Sequence, residues 1–201
     1  MYRKNLKNEY YTRKAREDNY PARSVYKLQQ IDEKFDLIKA GDEVLDLGCS
    51  PGSWLLYLAK KIGPDGKVIG IDVLDLKIEI PKNAKFIKSD VMEYVPTSVG
   101  IPTMVGRKFD VIVSDLAPNT SGEHFIDTEK SLEFCERALE IVQNNLKSGG
   151  NFLCKILEGE GINDFFKKVE TNFAFAKRYK PLASRKESRE IYIIGKNYAA
   201  D

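Results

Sequence analysis

The chain has 201 residues, 42% of them hydrophobic, and a formal net charge of +2. This length and composition suit one globular domain with a full core. No apolar run approaches the length of a membrane span, and the polar, basic start from Met1 to Lys7 does not resemble a secretory signal. We therefore expect neither a membrane protein nor a secreted one. The three cysteines (Cys49, Cys135 and Cys154) have no metal-type spacing and fit a reducing compartment, so we expect a cytoplasmic protein.

Positive charge is concentrated near the two ends of the chain. The basic residues near the N-terminus are Arg3, Lys4, Lys7, Arg13, Lys14, Arg16, Arg23 and Lys27. Those of the second cluster are Lys177, Arg178, Lys180, Arg185, Lys186 and Arg189. Tyrosines are interleaved with both clusters, which suits contact with a phosphate backbone and exposed bases. The same charges also suit two solvated faces, and charge alone favours that second interpretation.

The first elements differ in their apolar patterning. Residues 1–20 lack apolar periodicity, so we predict a basic arm or loosely held coil there, followed by a single domain over residues 21–201. Residues 24–36 show an apolar stripe and predict a helix that Ser24 caps. Strands and helices then alternate. Predicted strands cover residues 43–47, 67–72, 85–88, 109–114 and 151–156; predicted helices cover 54–61, 128–145 (closed by 147–150) and 161–171.

The last two predicted strands, at residues 175–179 and 191–195, have no helix between them. A connection without a helix usually joins antiparallel strands, whereas helical crossovers join parallel ones. The pattern therefore predicts a mostly parallel sheet of seven strands whose last strand is antiparallel, with helices on both faces. The segment from Val95 to Lys108, rich in proline and glycine, fits no element.

The segment from Asp46 to Trp54 is the most informative motif. It reads Asp-Leu-Gly-Cys-Ser-Pro-Gly-Ser-Trp and joins a strand to a helix. Gly48 and Gly52 let bare backbone approach a ligand. Their spacing is not the Gly-x-Gly-x-x-Gly of nicotinamide dehydrogenases. The motif looks like the S-adenosylmethionine (SAM) loop of a class I methyltransferase, although such turns also occur without SAM. With the antiparallel ending, it predicts the class I SAM-dependent methyltransferase (Rossmann-like) fold.

Acidic residues follow the first three strands. In an open α/β sheet the ligand lies beyond the carboxyl ends of the strands, where we expect Asp46, Asp72 and Asp90. Asp72 could accept hydrogen bonds from both ribose hydroxyls of the cofactor, and Asp90 could accept one from the adenine amino group. Taken singly, each is more often a turn or cap residue. Trp54 suits either a wall of the pocket or helix packing.

A second group of polar residues follows the later strands. Asp115 ends the fourth strand, in a segment without the aromatic ring that enzymes methylating base amines place there. Lys155 lies at the end of an apolar strand, where a lysine is costly unless paired; it could also extend to water. Strand alternation turns Cys154 away from it. Glu190 begins the last strand, and Lys27 lies off the apolar stripe of the first predicted helix.

The chain resembles the FtsJ/RrmJ (RlmE) family of RNA ribose 2′-O-methyltransferases. The resemblance extends from about Tyr20 to Gly195. The segments that carry it are Ala22–Leu28, Asp46–Trp54, Ser114–Gly122, Lys155–Gly161 and Ser184–Tyr192. Departures are limited to residues within the glycine loop and the additional segment before Phe109.

The resemblance implies a Lys-Asp-Lys-Glu tetrad, which falls on Lys27, Asp115, Lys155 and Glu190. It also implies SAM as cofactor; the corresponding contacts fall on Gly52, Trp54, Asp72, Asp90 and Asp115. The implied substrate is a ribose, uridine in the first place, of large-subunit ribosomal RNA, with the large ribosomal subunit as partner. A monomer without membrane attachment and without a bound metal is expected.

The resemblance makes Lys155 the general base. A lysine acts as a base only in its neutral form, which Lys27 and the sulfonium of SAM favour and which Asp115 and Glu190 oppose. Lys155 alternatively orients the hydroxyl and stabilises developing negative charge. The tetrad also fits enzymes that act on tRNA or on mRNA caps. A non-catalytic ribosome-assembly factor and a small-molecule methyltransferase are further alternatives.

Overall fold

The computed structural model describes residues 3–93, 108–118, 121–185 and 187–199. The helices are α1 (Arg3–Glu17), α2 (Val25–Phe35), α3 (Ser53–Ile62), α4 (His124–Asn145) and α5 (Ile162–Asn172). The strands are β1 (Glu43–Leu47), β2 (Lys67–Asp72), β3 (Ala84–Lys88), β4 (Phe109–Ser114), β5 (Leu146–Leu157), β6 (Phe173–Tyr179) and β7 (Glu190–Tyr198). None of these helices combines the length and apolar character that a membrane crossing needs.

All seven strands form one sheet in the order β3-β2-β1-β4-β5-β7-β6. The pairs from β3 to β5 are parallel, and β7 is antiparallel to both β5 and β6. Among the described residues, β7 follows β6 without a helix and is the reversed strand; β3 also follows β2 without a helix, yet it pairs with β2 in parallel. The predicted sheet and its antiparallel last strand are confirmed.

Helices cover both faces of the sheet. On one face, α2 and α3 pack through Leu28, Leu55 and Leu58. On the other, α4 and α5 pack through residues such as Cys135 and Phe165. Strand alternation sends neighbouring residues of β5 into different layers, as predicted: Leu153 belongs to the α2–α3 layer and Cys154 to the α4–α5 layer. Lys155 consequently points to the layer that holds α2.

The expectation of a coil before residue 20 was wrong for most of that stretch, because residues 3–17 form α1. This helix has no apolar stripe of its own, so periodicity did not reveal it. It is held by single contacts instead: Ala15 is buried, and the ring of Tyr11 lies 5.3 Å from that of Tyr26. The Tyr11 hydroxyl also accepts a hydrogen bond from Gln30 Nε2 at 3.0 Å. The domain boundary at residue 20 stays a prediction.

Two predicted ends differ from the structure around α4. The helix begins at His124, four residues before the predicted start, because Asp127 accepts hydrogen bonds from both the amide and the hydroxyl of Ser121 (2.8 and 2.9 Å). The residues expected to close the helix belong to β5 instead. Leu146 pairs with Phe109, and a register shift then accommodates the glycines that follow.

Smaller differences concern caps and coverage. Ser24 stands at the start of α2 but makes no capping hydrogen bond through its side chain. A short 3₁₀ turn at Val91–Glu93 was not predicted. Most of the segment from Val95 to Lys108 lies outside the described residues, as do Asn119, Thr120 and Lys186.

Candidate active site

The predicted tetrad is assembled by three neighbouring strands and one helix. Asp115 follows β4 directly, and Lys155 lies near the carboxyl end of β5. Glu190 begins β7, where it pairs with Leu157 of β5. Lys27 comes from α2, which packs on the face toward which Lys155 points. The strand order therefore places all four residues at the end of the sheet where the parallel strands have their carboxyl ends.

Lys155 and Asp115 form an ion pair. The Lys155 ammonium nitrogen lies 3.1 Å from Asp115 Oδ1 and donates a hydrogen bond to the Asp115 backbone oxygen at 2.6 Å. Only 6% of Lys155 is exposed. This pairing offsets the cost of placing a lysine in an apolar strand. The interpretation of Lys155 as a lysine that extends to water is therefore excluded.

Lys27 and Glu190 form a second ion pair, with Nζ 2.7 Å from Oε2. Burial raises the pKa of Glu190, but the charge of Lys27, and to a smaller extent that of Lys155, lowers it. The lowering is the larger effect, so the pKa lies below its usual value. The carboxylate therefore stays ionised at neutral pH. The two ion pairs lie close together, because Lys155 and Glu190 lie two residues apart in the register of the paired strands β5 and β7. Lys27, which resembles a surface residue in the sequence, is buried.

The start of α2 is fixed to the glycine loop. The indole Nε1 of Trp54 donates to the Ser24 backbone oxygen at 3.1 Å. The Ala22 amide donates to the Ser53 hydroxyl at 2.8 Å. Trp54 is 3% exposed and packs against the ring of Tyr192, with 6.1 Å between centroids. Its contacts in this structure are those of a packing residue that positions the helix carrying Lys27.

Tyr192 is a site residue that the sequence analysis missed. Its hydroxyl donates to Asp115 Oδ1 at 3.2 Å, and its backbone pairs with Lys155. Burial raises the pKa of Tyr192 well above its usual value, and the charges of Asp115 and Glu190 act in the same direction, so the hydroxyl remains a donor. The available signal was alternation, since residues 190 and 192 share one face of the strand.

The glycine loop has the backbone that its sequence predicts. Gly48 and Gly52 both adopt positive φ angles of +78° and +111°. A Cβ at Gly52 would lie 2.6 Å from a side-chain atom of Ile78, and a Cβ at Gly48 would lie 3.0 Å from the backbone nitrogen of Leu116. Other residues at these positions would therefore strain the loop and push it away from its neighbours.

Asp72 and Asp90 lie where they were predicted, and both also stabilise local turns. Asp72 accepts hydrogen bonds from the amides of Ser50 and Leu74, each at 2.8 Å. Asp90 accepts from the Met92 amide at 2.8 Å. Each carboxylate oxygen has a second lone pair, so these bonds leave acceptor capacity toward a ligand. Asp72 also ties the loop after β1 to the end of β2.

Asp46 provides the test of whether the site suits SAM. Its side chain is fully buried, and both carboxyl oxygens lack a hydrogen-bond partner among the described residues. Burial raises the pKa of Asp46 well above its usual value, and the charges of Asp115 and Asp72 add to that effect. An unpartnered polar group between the glycine loop and the tetrad suits a polar, cationic ligand such as SAM. The residues therefore fit the cofactor.

Two further features of the molecule bear on where the chemistry lies. Within the described ranges, no group of three or more histidine, cysteine, aspartate or glutamate residues is arranged to hold a metal ion. A cavity of about 660 Å³ lies at the amino ends of β2 and β3, and the lysines Lys60, Lys67, Lys82 and Lys85 are among the residues that line it. It contains none of the predicted site residues.

Known proteins resemble this chain over nearly its whole length. The model of the family described as FtsJ-like methyltransferase matches residues 20–198. A protein of Desulforapulum autotrophicum named ribosomal RNA large subunit methyltransferase E is 45% identical over 96% of this chain and 94% of its own length. A protein of the same name from Desulfatibacillum aliphaticivorans is 44% identical over 96% of this chain and 91% of its own length.

A solved structure supports the same assignment. The crystal structure of a Plasmodium falciparum protein, described as a putative ribosomal RNA methyltransferase, superimposes with a TM-score of 0.77 at 25% identity. The match covers 90% of this chain and 100% of the other. SAM is the cofactor that this fold and family imply, and the acidic edge and glycine loop fit it. The chain belongs to the FtsJ-like methyltransferase family, and it is a methyltransferase.

Proposed function

We propose that this protein transfers the methyl group of SAM to the 2′-hydroxyl of a uridine ribose in large-subunit ribosomal RNA. The observation that carries the proposal is the tetrad, in which two ion pairs with buried lysines meet at the carboxyl ends of the strands, next to an acid without a hydrogen-bond partner among the described residues. The named relatives, which act on large-subunit ribosomal RNA by their printed names, support the choice of substrate.

The bound cofactor would supply an electrophilic methyl carbon attached to a sulfonium. Asp46, Asp72, Asp90 and the backbone of the loop at Gly48 and Gly52 would hold it. The 2′-hydroxyl would be the group that receives the methyl, so its oxygen must face the methyl carbon and its proton must leave. Lys155 either accepts the hydroxyl proton or orients the hydroxyl and stabilises its developing negative charge. In both roles its nitrogen must face the hydroxyl.

The remaining residues position Lys155. Asp115 holds its ammonium nitrogen through two contacts, and Tyr192 in turn holds Asp115. Lys27 and Glu190 form the second ion pair, and we assign to them the role of holding the ribose. Displacement at carbon requires alignment of the attacking and leaving atoms, so this fixed geometry supplies much of the acceleration.

The proposed partner is the large ribosomal subunit or its RNA, with the protein acting as a monomer in the cytoplasm. Basic side chains that flank the site support an RNA partner. Arg23 precedes α2, and Arg185 lies in the segment before β7, close enough to influence the pKa of Arg23. Burial lowers the pKa of Arg23, and the charge of Arg185 lowers it further. The charge of Glu190 acts on the pKa of Arg23 in the opposite direction, so the two cations lie next to the tetrad, where they would suit an anionic ligand.

The direct test is transfer of tritiated methyl groups to large ribosomal subunits, free ribosomal RNA and tRNA in parallel, followed by identification of the modified nucleoside. We expect 2′-O-methyluridine from large-subunit RNA. Lys155→Ala should lower the rate of transfer by at least about 100-fold, the lower end of what a general base contributes. Its affinity for SAM should be close to that of the unchanged protein.

Lys167→Ala is the matched control, since Lys167 lies on α5 with its side chain 74% exposed. This variant should transfer methyl groups at the normal rate. Full activity of Lys155→Ala would refute the role of Lys155. A methylated base instead of a methylated ribose would refute the proposed reaction.

A further inference from the structure

Phe125 is a large aromatic residue exposed beside the proposed active site. It lies in the first turn of α4 and is 60% exposed. The described chain has two other exposed aromatic side chains, and both have ring neighbours: Tyr10 lies 5.2 Å from Tyr11, and Phe175 lies 6.3 Å from Phe35. Within the described residues, Phe125 makes no such ring contact, so its ring is available to a ligand.

The start of α4 is tied to the strand that carries Glu190. Arg189 donates to the Thr128 hydroxyl at 3.0 Å and to the His124 backbone oxygen at 3.4 Å. Because Arg189 directly precedes Glu190, these bonds fix the first turn of α4 beside the start of β7, at the end of the sheet where the tetrad lies but on the face opposite to that of the Lys155 side chain. Side chains of a helix tilt toward its N-terminus, so Phe125 is directed toward the carboxyl ends of the strands, which is the end of the sheet where the tetrad lies.

We propose that Phe125 stacks on a base of the RNA substrate, either that of the methylated nucleotide or that of its neighbour. This inference rests on the proposed function. A sugar hydroxyl directed at the methyl carbon places the base outside the reacting centre. The segment after Asp115 offers only Leu116 and Ala117, so it has no ring for that base. Phe125 supplies a ring ten residues later, at the rim.

Stacking on aromatic rings is the usual way in which proteins hold unpaired bases. A ring exposed to water contributes little to folding, which fits the absence of Phe125 from the core clusters of the described chain. A contribution of this ring to binding would therefore show that the protein holds a base near the methylated ribose and does not bind RNA through phosphates alone. Salt weakens phosphate contacts strongly and affects stacking much less.

The test measures KM and kcat for large ribosomal subunits from cells that lack the enzyme, together with direct RNA binding in a Lys155→Ala background. Phe125→Ala should raise KM and weaken RNA binding by about 5- to 100-fold, as loss of one stacked base does. The change in kcat should be smaller, and SAM affinity should stay the same. Phe125→Trp should retain binding, whereas Phe125→Leu, which keeps apolar area without a ring face, should behave like Phe125→Ala.

Phe175→Ala is the matched control, because Phe175 is an exposed aromatic residue at the opposite end of the sheet from the tetrad. There its backbone lies opposite Lys196 of β7. It should leave RNA binding unchanged. Normal binding by Phe125→Ala, or equal binding by the leucine and tryptophan variants, would overturn the stacking role. Weaker binding to intact subunits alone, with normal binding to free RNA, would also overturn it and would indicate a ribosomal protein as the contact. Failure of the unchanged protein to methylate ribose would instead count against the proposed function.

Discussion

Asp46 is the residue at which stability and cofactor binding oppose each other. Its carboxyl group is buried without a partner among the described residues, and burial raises its pKa well above 3.8. The folded state therefore binds a proton more tightly than the unfolded state. Stability contributed by that proton is complete at low pH and is lost as pH rises from about 4 through the folded pKa.

Asp46→Asn removes this ionisable group with little change in shape. We expect its melting temperature without cofactor to exceed that of the unchanged protein, by a margin that widens between pH 4 and pH 8. Each kcal/mol corresponds to about 2–4 °C for a chain of this length. SAM affinity should fall. Thermal unfolding across that pH range and titration with SAM provide the measurements.

Asp32 gives the opposite expectation and serves as the control. It is equally buried but accepts hydrogen bonds from the amides of Leu37 and Ile38 and from the Tyr57 hydroxyl, and it forms an ion pair with Lys61. Asp32→Asn should therefore lower the melting temperature at neutral pH. A margin for Asp46→Asn that shrank as pH rose would contradict the account of Asp46.

At the scale of elements, α1 is the one for which we expect both a folding role and contact with RNA. It is attached to α2 by tyrosine rings, while basic residues follow one another along its length. Charge reversal at Arg3, Lys4, Arg13 and Lys14 should weaken RNA binding and leave SAM affinity intact. The slope of log affinity against log salt should become shallower by about 0.7–0.9 for each phosphate that the helix no longer neutralises.

A matched set of charges lies at the other end of the sheet. Lys60, Lys67, Lys82 and Lys85 line the cavity at β2 and β3, away from the tetrad. Reversing these four charges alters the net charge by the same amount, so it controls for long-range attraction. We expect a clearly smaller loss of RNA affinity from this set. Equal losses from both sets would show that α1 makes no specific contact.

The elements also show what a sequence reveals and what it leaves open. Alternation in β5 correctly separated Lys155 from Cys154, because the period of a strand fixes the face of each residue. Nothing in spacing could pair Lys27 with Glu190, since that contact depends on how α2 packs on the sheet; family resemblance supplied it. Periodicity missed α1, which individual aromatic contacts hold. Tyr192 was missed because it stands in an apolar run, although alternation places it on the same face of the strand as Glu190.

For the molecule as a whole, the sheet order separates two tasks. The proposed cofactor residues come mainly from β1, β2, β3 and the loop between β1 and α3, and Asp115 belongs to both proposed groups. The tetrad comes from β4, β5, β7 and α2. The two groups adjoin where β1 pairs with β4. Asp46 and Asp115 lie on either side of that junction, close enough for Asp115 to raise the pKa of Asp46, which burial already raises. Cofactor binding and methyl transfer should therefore be separable by substitution.

The separation can be measured through stabilisation by the cofactor. A ligand at 100 times its dissociation constant stabilises the folded state by about 2.7 kcal/mol, which corresponds to a rise of about 5–10 °C in melting temperature. Lys155→Ala should show that full rise with SAM and yet transfer no methyl groups. Asp72→Ala should lose most of the rise together with the activity, because Asp72 is proposed to hold the cofactor and accepts a hydrogen bond from the Ser50 amide of the glycine loop. Lys167→Ala should behave like the unchanged protein in both assays. Loss of the SAM-dependent rise in Lys155→Ala would show that the tetrad also binds the cofactor, and the division of the sheet into two tasks would then be wrong.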